Sequence, residues 1–420
     1  MTFRSFLYTL CVAALVWTSP LPAAEWYRGN LHMHSFWSDG NVFPEMAVDA
    51  YKDLGYHFVV LSDHSHLQLD SQRWIDVEQA KVQTVLKQYY ERYGENAAET
   101  CEVDGKKQIR LHTVHELKKK LDIPGRFLMI PGLELAPDTN GVTFHGNALN
   151  VTETIPVQQG ATLAESIDKN ALAARKNGED HGLVSEFMVN HPLWPNYDID
   201  PLSLADAKDT FLFELLCAYG HPRGGPSDRF WNRESLWDIV TAFRIVKGHP
   251  LMYSVGSDDT HNYLTFAYNR PGTCWTVVRS EKLEADSIIL AMRRGDFYTS
   301  CGVEMEDIVF DKTARTLSVK VKPVEGVNYR VQFIGTKRGF DQTAVPFEME
   351  KTDKHPARKG WTFSKEIGIE LLSVEGTEAS YQLKEDDLYV RAVISSDQRR
   401  EHQDGFAPET ATAWTQPYCP

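Results

Sequence analysis

Arg28-Gly-Asn-Leu-His32-Met-His34-Ser-Phe-Trp-Ser-Asp39-Gly40 reads as the end of a short strand running into a loop. His32 and His34 stand two residues apart, so on an extended backbone both imidazoles point to one side. Asp39-Gly40 adds a carboxylate and a turn former. Two neutral imidazoles at a strand end are a compact way to offer nitrogen to one divalent metal. Neighbouring histidines are also often merely solvated, so the reading depends on whether later segments supply matching ligands.

Working outward, the chain alternates short apolar runs with helical patterns from Glu25 to about residue 299. Trp26 to Met33 is the first strand candidate. Pro44 to Leu54, with Pro at its start and Gly55 after its end, predicts a helix. His57 to Ser62 is an apolar strand that delivers Asp63-His64. Residues 72–122 are charged and rich in Tyr, Gln and Lys, with helical periodicity in Trp74 to Tyr93 and Val114 to Leu121; they read as a helical insertion. Phe127 to Glu134 is the next strand and ends on a carboxylate. Phe144 to Val151, Leu183 to Val189, Phe211 to Leu216, Leu251 to Gly256 and Cys274 to Val278 are further strand candidates. Helices are expected over Leu163 to Lys176, Glu234 to Val246 and Leu283 to Arg294. Repeated strand–helix units predict a parallel sheet or barrel. Beyond residue 300, runs such as Leu317-Ser-Val-Lys-Val and Leu388-Tyr-Val-Arg-Ala-Val-Ile alternate apolar and polar residues with no helix between them. That texture predicts a small antiparallel β domain of sandwich type over residues 300–420.

A net charge of −14 argues against a general nucleic-acid or anionic-membrane surface. Residues 1–24 read as an export signal: Arg4, a mainly apolar run from Phe6 to Trp17, and small residues up to Ala24. No later run reaches the roughly 20 apolar residues of a spanning helix. A periplasmic or secreted protein, detached from the membrane after signal cleavage, is the expectation. Cys101, Cys217, Cys274, Cys301 and Cys419 form an odd, scattered set with no C-x-x-C pair, so at least one thiol should stay free.

Thirteen of the fifteen histidines precede residue 262. His32, His34, His64, His191 and His261 each follow an apolar run, as Glu134 does, while His145 and the further candidate acid Glu214 lie inside one. In parallel barrels the carboxyl ends of the strands share a face, so these side chains could converge across 230 residues of sequence. Leu31-His-Met-His-Ser35 with Asp39, Gly55 to His64, Gly132-Leu-Glu134, His145, Asn190-His191-Pro192 and Gly256-Ser-Asp-Asp-Thr-His261 together resemble the PHP (polymerase and histidinol phosphatase) superfamily over residues 27–300. The tail, with Arg391-Ala-Val and Ala413-Trp-Thr-Gln-Pro417, is similar to that of secreted members of the CehA/McbA type.

The resemblance implies a distorted (β/α)7 TIM-like barrel in residues 25–299, with two or three divalent metals (Mn, Fe or Zn) at the strand ends. It implies the ligands His32, His34, Asp39, His64, Glu134, His145 and His191, with an acid and His261 in the last motif. The family usually ends in Asp-x-His; here Asp258 and Asp259 both precede Thr260, and the spacing favours Asp259 while leaving the reverse open. Asp63 is expected to orient a ligand.

Metals so ringed would bind a phosphate's oxygens and acidify a water, and no protein nucleophile is needed; no G-x-S-x-G elbow or Walker loop is evident. The expected partner is a small phosphorylated substrate. His32, His34, His64, His191, Asp259 and His261 form the expected catalytic set. Arg223 and His221, with Arg270, are candidate substrate contacts, although a bland turn arginine is as good a reading of Arg223. Trp37, Trp194 and Tyr263 could wall the pocket. His57, His112, His115, His181 and His249 read as core, edge or solvated histidines, and His66, close after Asp63-His64, as either solvated or a group that orients a ligand. Two other classes compete: an amidohydrolase, which also opens with H-x-H but typically needs a bridging Lys where Glu134 stands, and a non-catalytic metal-stabilised protein that binds a glycan or partner.

Overall fold

The computed structural model describes residues 24–193, 199–216, 232–265, 269–351, 357–400 and 410–420. The export-signal reading, Trp194, Cys217, His221 and Arg223 therefore lie outside the described residues.

The architecture is mixed α/β around one large sheet. In spatial order its strands are Tyr253–Gly256, Leu212–Leu216, Glu186–Val189, Gly146–Leu149, Leu128–Leu135, Phe58–Leu61, Glu25–Asn30, Trp275–Ser280, Phe297–Ser300, Thr410–Thr415, Asp387–Arg399, Tyr329–Lys337 and Ile369–Glu375. Glu25–Asn30, Phe58–Leu61 and Leu128–Leu135 run parallel, as do Glu186–Val189, Leu212–Leu216 and Tyr253–Gly256. Phe58–Leu61, Glu186–Val189 and Leu212–Leu216 are buried along their whole length, as strands covered on both faces must be.

Two expectations are corrected here. The sheet is not wholly parallel: Gly146–Leu149 runs antiparallel to both of its neighbours, and Trp275–Ser280 antiparallel to Glu25–Asn30; the short stretch from Leu135 to Gly146 leaves no room for a crossover helix. Nor is a closed barrel found. Among the described residues no main-chain ladder joins Tyr253–Gly256 to Trp275–Ser280. Side chains fill that seam instead. The Gln416 amide accepts from Ser254 N and donates to Ser254 O, each at 2.9 Å. Thr276 Oγ1 pairs with both Gly256 N and Gly256 O at 3.0 Å, and Thr299 Oγ1 donates to Ser254 O at 2.8 Å. A Cβ on Gly256 would meet Trp275 O and Thr299 Cγ2 at 2.8 Å, so only glycine lets the strand come this close.

The helices follow their local signals. Pro44–Asp53 starts on its proline, and Gly55 follows it with φ 76°. Val114–Leu121 is preceded by a capping box in which Thr113 and Glu116 exchange side-chain-to-backbone bonds. Thr113→Ala is expected to cost about 1 kcal/mol in urea unfolding, with unchanged stability arguing against the cap. The insertion is not purely helical. Trp74–Asp76, Thr100–Val103 and Lys106–Arg110 form a small antiparallel sheet beside the helix Ala80–Tyr93.

In the C-terminal part, Met305–Asp311, Thr316–Val321 and Glu378–Gln382 form a second sheet. Its buried Ile308, Leu317 and Val319 share one apolar cluster with Val331, Phe333 and Val390 of the large sheet, two layers about a common core. Among the described residues no helix is long and apolar enough to cross a membrane.

Candidate metal centre

The ends of the buried strands deliver the site. Met33 bridges Thr260 and His64 bridges Glu134, so four ligand-bearing segments are locked in register. Glu134 is the hub. Its Oε1 lies 3.2 Å from His32 Nε2, 3.1 Å from His145 Nδ1 and 3.6 Å from His191 Nε2. Its Oε2 lies 2.8 Å from His64 Nδ1 and 3.4 Å from His34 Nε2. Asp259 Oδ1 sits 3.1 Å from His32 Nε2 and 3.0 Å from His34 Nε2. Asp39 stands outside, with His261 Nε2 at 3.2 Å and His64 Nε2 at 3.6 Å. His32, His34, Glu134 and His191 form a buried floor, while Asp39, His64, His145 and His261 line a more open rim.

Other residues aim the imidazoles. Glu214 Oε1 accepts from His32 Nδ1 at 2.9 Å, which leaves Nε2 to face the centre. The same carboxylate accepts from Ser257 Oγ at 2.6 Å and from His191 N at 2.8 Å. Ser38 Oγ donates to Asp63 Oδ1 at 2.7 Å and lies 3.3 Å from His34 Nδ1, so Asp63 acts on His34 through the serine. Asn190 Nδ2 donates to Glu134 Oε1 at 2.7 Å. His191 (φ 24°) and Asp259 (φ 49°) occupy left-handed backbone conformations that are uncommon for side-chain-bearing residues. Local strain of this kind concentrates at functional sites.

Burial by itself disfavours charge on each of these groups, and opposite charges outweigh it at every shifted group of the cluster except His34. Against burial, Asp259, Glu134 and Glu214 hold His32 well above its ordinary value. His64, opposed by burial but paired with Asp39 and Glu134, is pushed up to about 10. His191 and His261 are also raised against burial, through Glu134 and Asp39 respectively. Glu134 is held well below the carboxylate range against burial by His32 and His145, Asp259 by His32 and His34, and Asp39 by His261 and His64. His34 moves down, because burial and the neighbouring His261 both oppose its charge.

The donor set fits divalent cations. Three groups of ligand atoms, each within 4.8 Å of one another, can be drawn: His34, Asp39, His64 and His261; His32, His34 and Glu134; His64, Glu134 and His145. Buried Glu134 Oε2 accepts no hydrogen bond of proper geometry, and His32 Nε2 faces His34 Nε2 at 3.1 Å. Imidazole nitrogens with carboxylate oxygens suit Mn, Fe or Zn. Ligating imidazoles must be neutral, and His64, pushed up to about 10, holds its proton near neutral pH in the metal-free protein, with His32 also held well above its ordinary value. Loading Mn2+ at pH 7 should therefore release about one or more protons per chain, and affinity should fall as pH drops. Indicator dye in weak buffer measures the release, and a silent titration despite binding would refute the protonated cluster.

No protein-family model and no curated protein matches the chain. Among solved structures it is similar to a two-domain protein from Bacteroides vulgatus containing a predicted PHP-like metal-dependent phosphoesterase (13% identity, TM-score 0.38, 96% of this chain and 100% of that one). It is also similar to a protein assigned as a metal-dependent phosphoesterase from Bifidobacterium adolescentis (13% identity, TM-score 0.30, 58% of this chain and 89% of that one). A third is an amidohydrolase from Chromobacterium violaceum (12% identity, TM-score 0.27, 56% of this chain and 87% of that one). Likenesses this remote leave the function to be argued from the site.

Not every expected residue joins the cluster. Asp258 turns away from it, and its carboxylate accepts from the backbone of Gly272, Thr273 and Cys274 and from Tyr51 Oη at 2.7–3.0 Å. Burial pushes its pKa up to about 6 despite those donors. Asp258→Ala would leave several buried donors unsatisfied and should cost about 3 kcal/mol in urea unfolding. A loss under about 1 kcal/mol would contradict the clamp. Trp37 is core rather than pocket wall, buried with its indole donating to His112 O at 3.0 Å. His112 is not solvated but pairs with buried Glu45. His66 and His115 are exposed. Cys101, Cys274 and Cys419 carry free thiols. Glu214, Ser38 and Asn190 gain roles as orienting groups; only the apolar run around Glu214 and the Asn-His-Pro motif hinted at two of them.

Proposed function

We propose that the chain is an exported metal-dependent phosphoesterase of the PHP superfamily, of the secreted CehA/McbA type. The observation that carries this reading is Glu134. One buried carboxylate stands among five imidazoles where an amidohydrolase would place a bridging lysine, and both of its oxygens face ring nitrogens. His32, His34, His64, Glu134, His145 and His191 would hold two ions, with Asp259 beside the buried one and Asp39 and His261 extending the set outward. When bound, such ions supply Lewis acidity that polarises a phosphoryl group and acidifies water.

The chain's own residues do the rest. Glu214 fixes the tautomer of His32, and Ser38 with Asp63 fixes that of His34. The buried floor keeps the carboxylates out of bulk water, where their interactions would weaken. The rim at Asp39, His64, His145 and His261 leaves one side open to a small phosphate ester. Export to the periplasm or medium rests on Arg4, the Phe6–Trp17 run and the small residues before Ala24, and intact mass of the mature protein tests it.

The deciding assay offers the Mn2+-loaded protein p-nitrophenyl phosphate, bis(p-nitrophenyl) phosphate and a panel of amides and lactones, with and without chelator. Chelator-sensitive release from either phosphate ester supports the reading. Turnover confined to amides or lactones, or none at all, overturns it.

A further inference from the structure

The outer group of His34, Asp39, His64 and His261 is built differently from the two around Glu134. Strand ends and their bridges place His32, His34, His64 and Glu134, and the anchoring extends to Thr260, which bridges Met33 and accepts from His34 N at 2.9 Å. Asp39 and His261 lie beyond those anchors, on two loops more than 200 residues apart in sequence. The Asp39 side chain is 58% exposed.

What joins these loops is a clasp of amides. Asn41 N donates to His261 O at 3.0 Å, Asn41 Nδ2 to Asn262 Oδ1 at 2.9 Å, and Tyr263 N to Asn41 Oδ1 at 3.0 Å. Asn262 Oδ1 also gathers Leu264 N and Thr265 N at 3.1 and 3.3 Å, which shapes the second loop about the same atom. Tyr263 Oη donates to His34 O at 2.8 Å. Gly40 lies so flat on the first loop that a Cβ there would meet the His34 and Ser35 backbone at 2.6 Å.

We propose that Asn41 and Asn262 are positioning residues for an outer cation position made by Asp39 and His261, which fills and empties separately from the buried positions around Glu134. The inference rests on the metal-hydrolase reading and adds a division of labour to it. Asn41 follows Asp39 by two residues and Asn262 follows His261 directly, so the clasp sets the distance between their ligand atoms, 3.2 Å from His261 Nε2 to Asp39 Oδ1. His261 Nδ1 lies 2.9 Å from Asp259 O, which directs Nε2 at Asp39. Neither loop residue belongs to the two groups that contain Glu134. Loosening the clasp separates Asp39 from His261 and leaves those groups in register.

The test is equilibrium dialysis of the stripped full chain against Mn2+, with metal counted per chain and thermal stability followed in parallel. Asn41→Ala should weaken one ion at least about tenfold and leave the tighter binding unchanged. Asp39→Ala should weaken the same ion, and adding Asn41→Ala to it should change nothing further. Asn262→Asp keeps the accepting oxygen and should bind as the wild type does. Coincident isotherms for wild type and Asn41→Ala would overturn the inference alone, as would equal weakening of every ion with a lowered Tm, or an Asn262→Asp protein as weak as Asn41→Ala. A wild-type chain that binds no Mn2+ would overturn the metal reading itself and the inference with it.

Discussion

Replacing Glu134 with alanine should strip the protein of most of its metal and lower phosphate-ester turnover by more than about 100-fold, beyond the ~10–100-fold typical of losing an outer-shell partner. The reason is the number of groups that depend on it. Glu134 belongs to two of the three ligand groups, and its oxygens lie within 3.6 Å of ring nitrogens from His32, His34, His64, His145 and His191. No neighbouring carboxylate can take over, since Asp259 already lies against His32 and His34, and Glu214 is committed to His32, His191 and Ser257. Glu134→Gln separates charge from volume: it keeps the space filled and the acceptor for Asn190 but removes the negative charge that offsets the ions. It should lose nearly as much metal as the alanine. Metal per chain and turnover are the readouts. Full loading in both variants would remove Glu134 from the centre and the phosphoesterase reading with it.

Much of this centre was legible in the sequence because strand ends are legible. His32 and His34 stand two apart after an apolar run, and alternation alone puts them on one side. The same alternation could not choose between Asp258 and Asp259, since adjacent extended residues face opposite ways and either could be inward. The choice is made by Asp259's left-handed turn at φ 49° and by the backbone amides of residues 272–274 that claim Asp258. Glu214 was visible as a candidate acid, but its role as an orienting group was not, for a related reason. In a strand buried along its whole length, pattern does not tell an inward acid from an accident of composition. The insertion misled because Thr100–Val103 and Lys106–Arg110 are short and polar, with too few apolar positions to show a two-residue period. The seam between Tyr253–Gly256 and Trp275–Ser280 was beyond pattern altogether. Three side chains, Thr276, Thr299 and Gln416, take hydrogen bonds there that a ladder would otherwise make.

Asp238→Ala should destabilise the protein by about 3–5 kcal/mol, the range for a buried ion pair that loses one partner. Asp238 lies on the helix Arg233–Val246 and Arg391 on the C-terminal strand Asp387–Arg399, and both are buried. They meet as a fork, Arg391 Nε to Asp238 Oδ1 at 2.8 Å and Nη2 to Oδ2 at 2.7 Å. Tyr389 Oη adds a bond to Oδ1 at 2.8 Å. Glu234, one turn earlier, accepts from Arg391 Nη2 at 3.3 Å and from Trp414 Nε1 at 3.1 Å. The tail motifs around Arg391 and Trp414 thus serve to dock the C-terminal strands onto that helix, and removing Asp238 leaves a guanidinium inside the protein with Glu234 as its remaining carboxylate. Arg391→Met should cost less, because an uncharged chain of similar volume needs no partner, although Asp238 then keeps only Tyr389. The double variant Asp238→Leu with Arg391→Met should fall closer to wild type than Asp238→Ala does, since replacing both charges removes the unpaired one. Urea unfolding of the wild type, Asp238→Leu, Arg391→Met and the double variant gives the cycle, with Asp238→Ala measured beside it. Asp238→Ala within about 1 kcal/mol of wild type would mean that water reaches the guanidinium and that the docking rests on apolar contact alone.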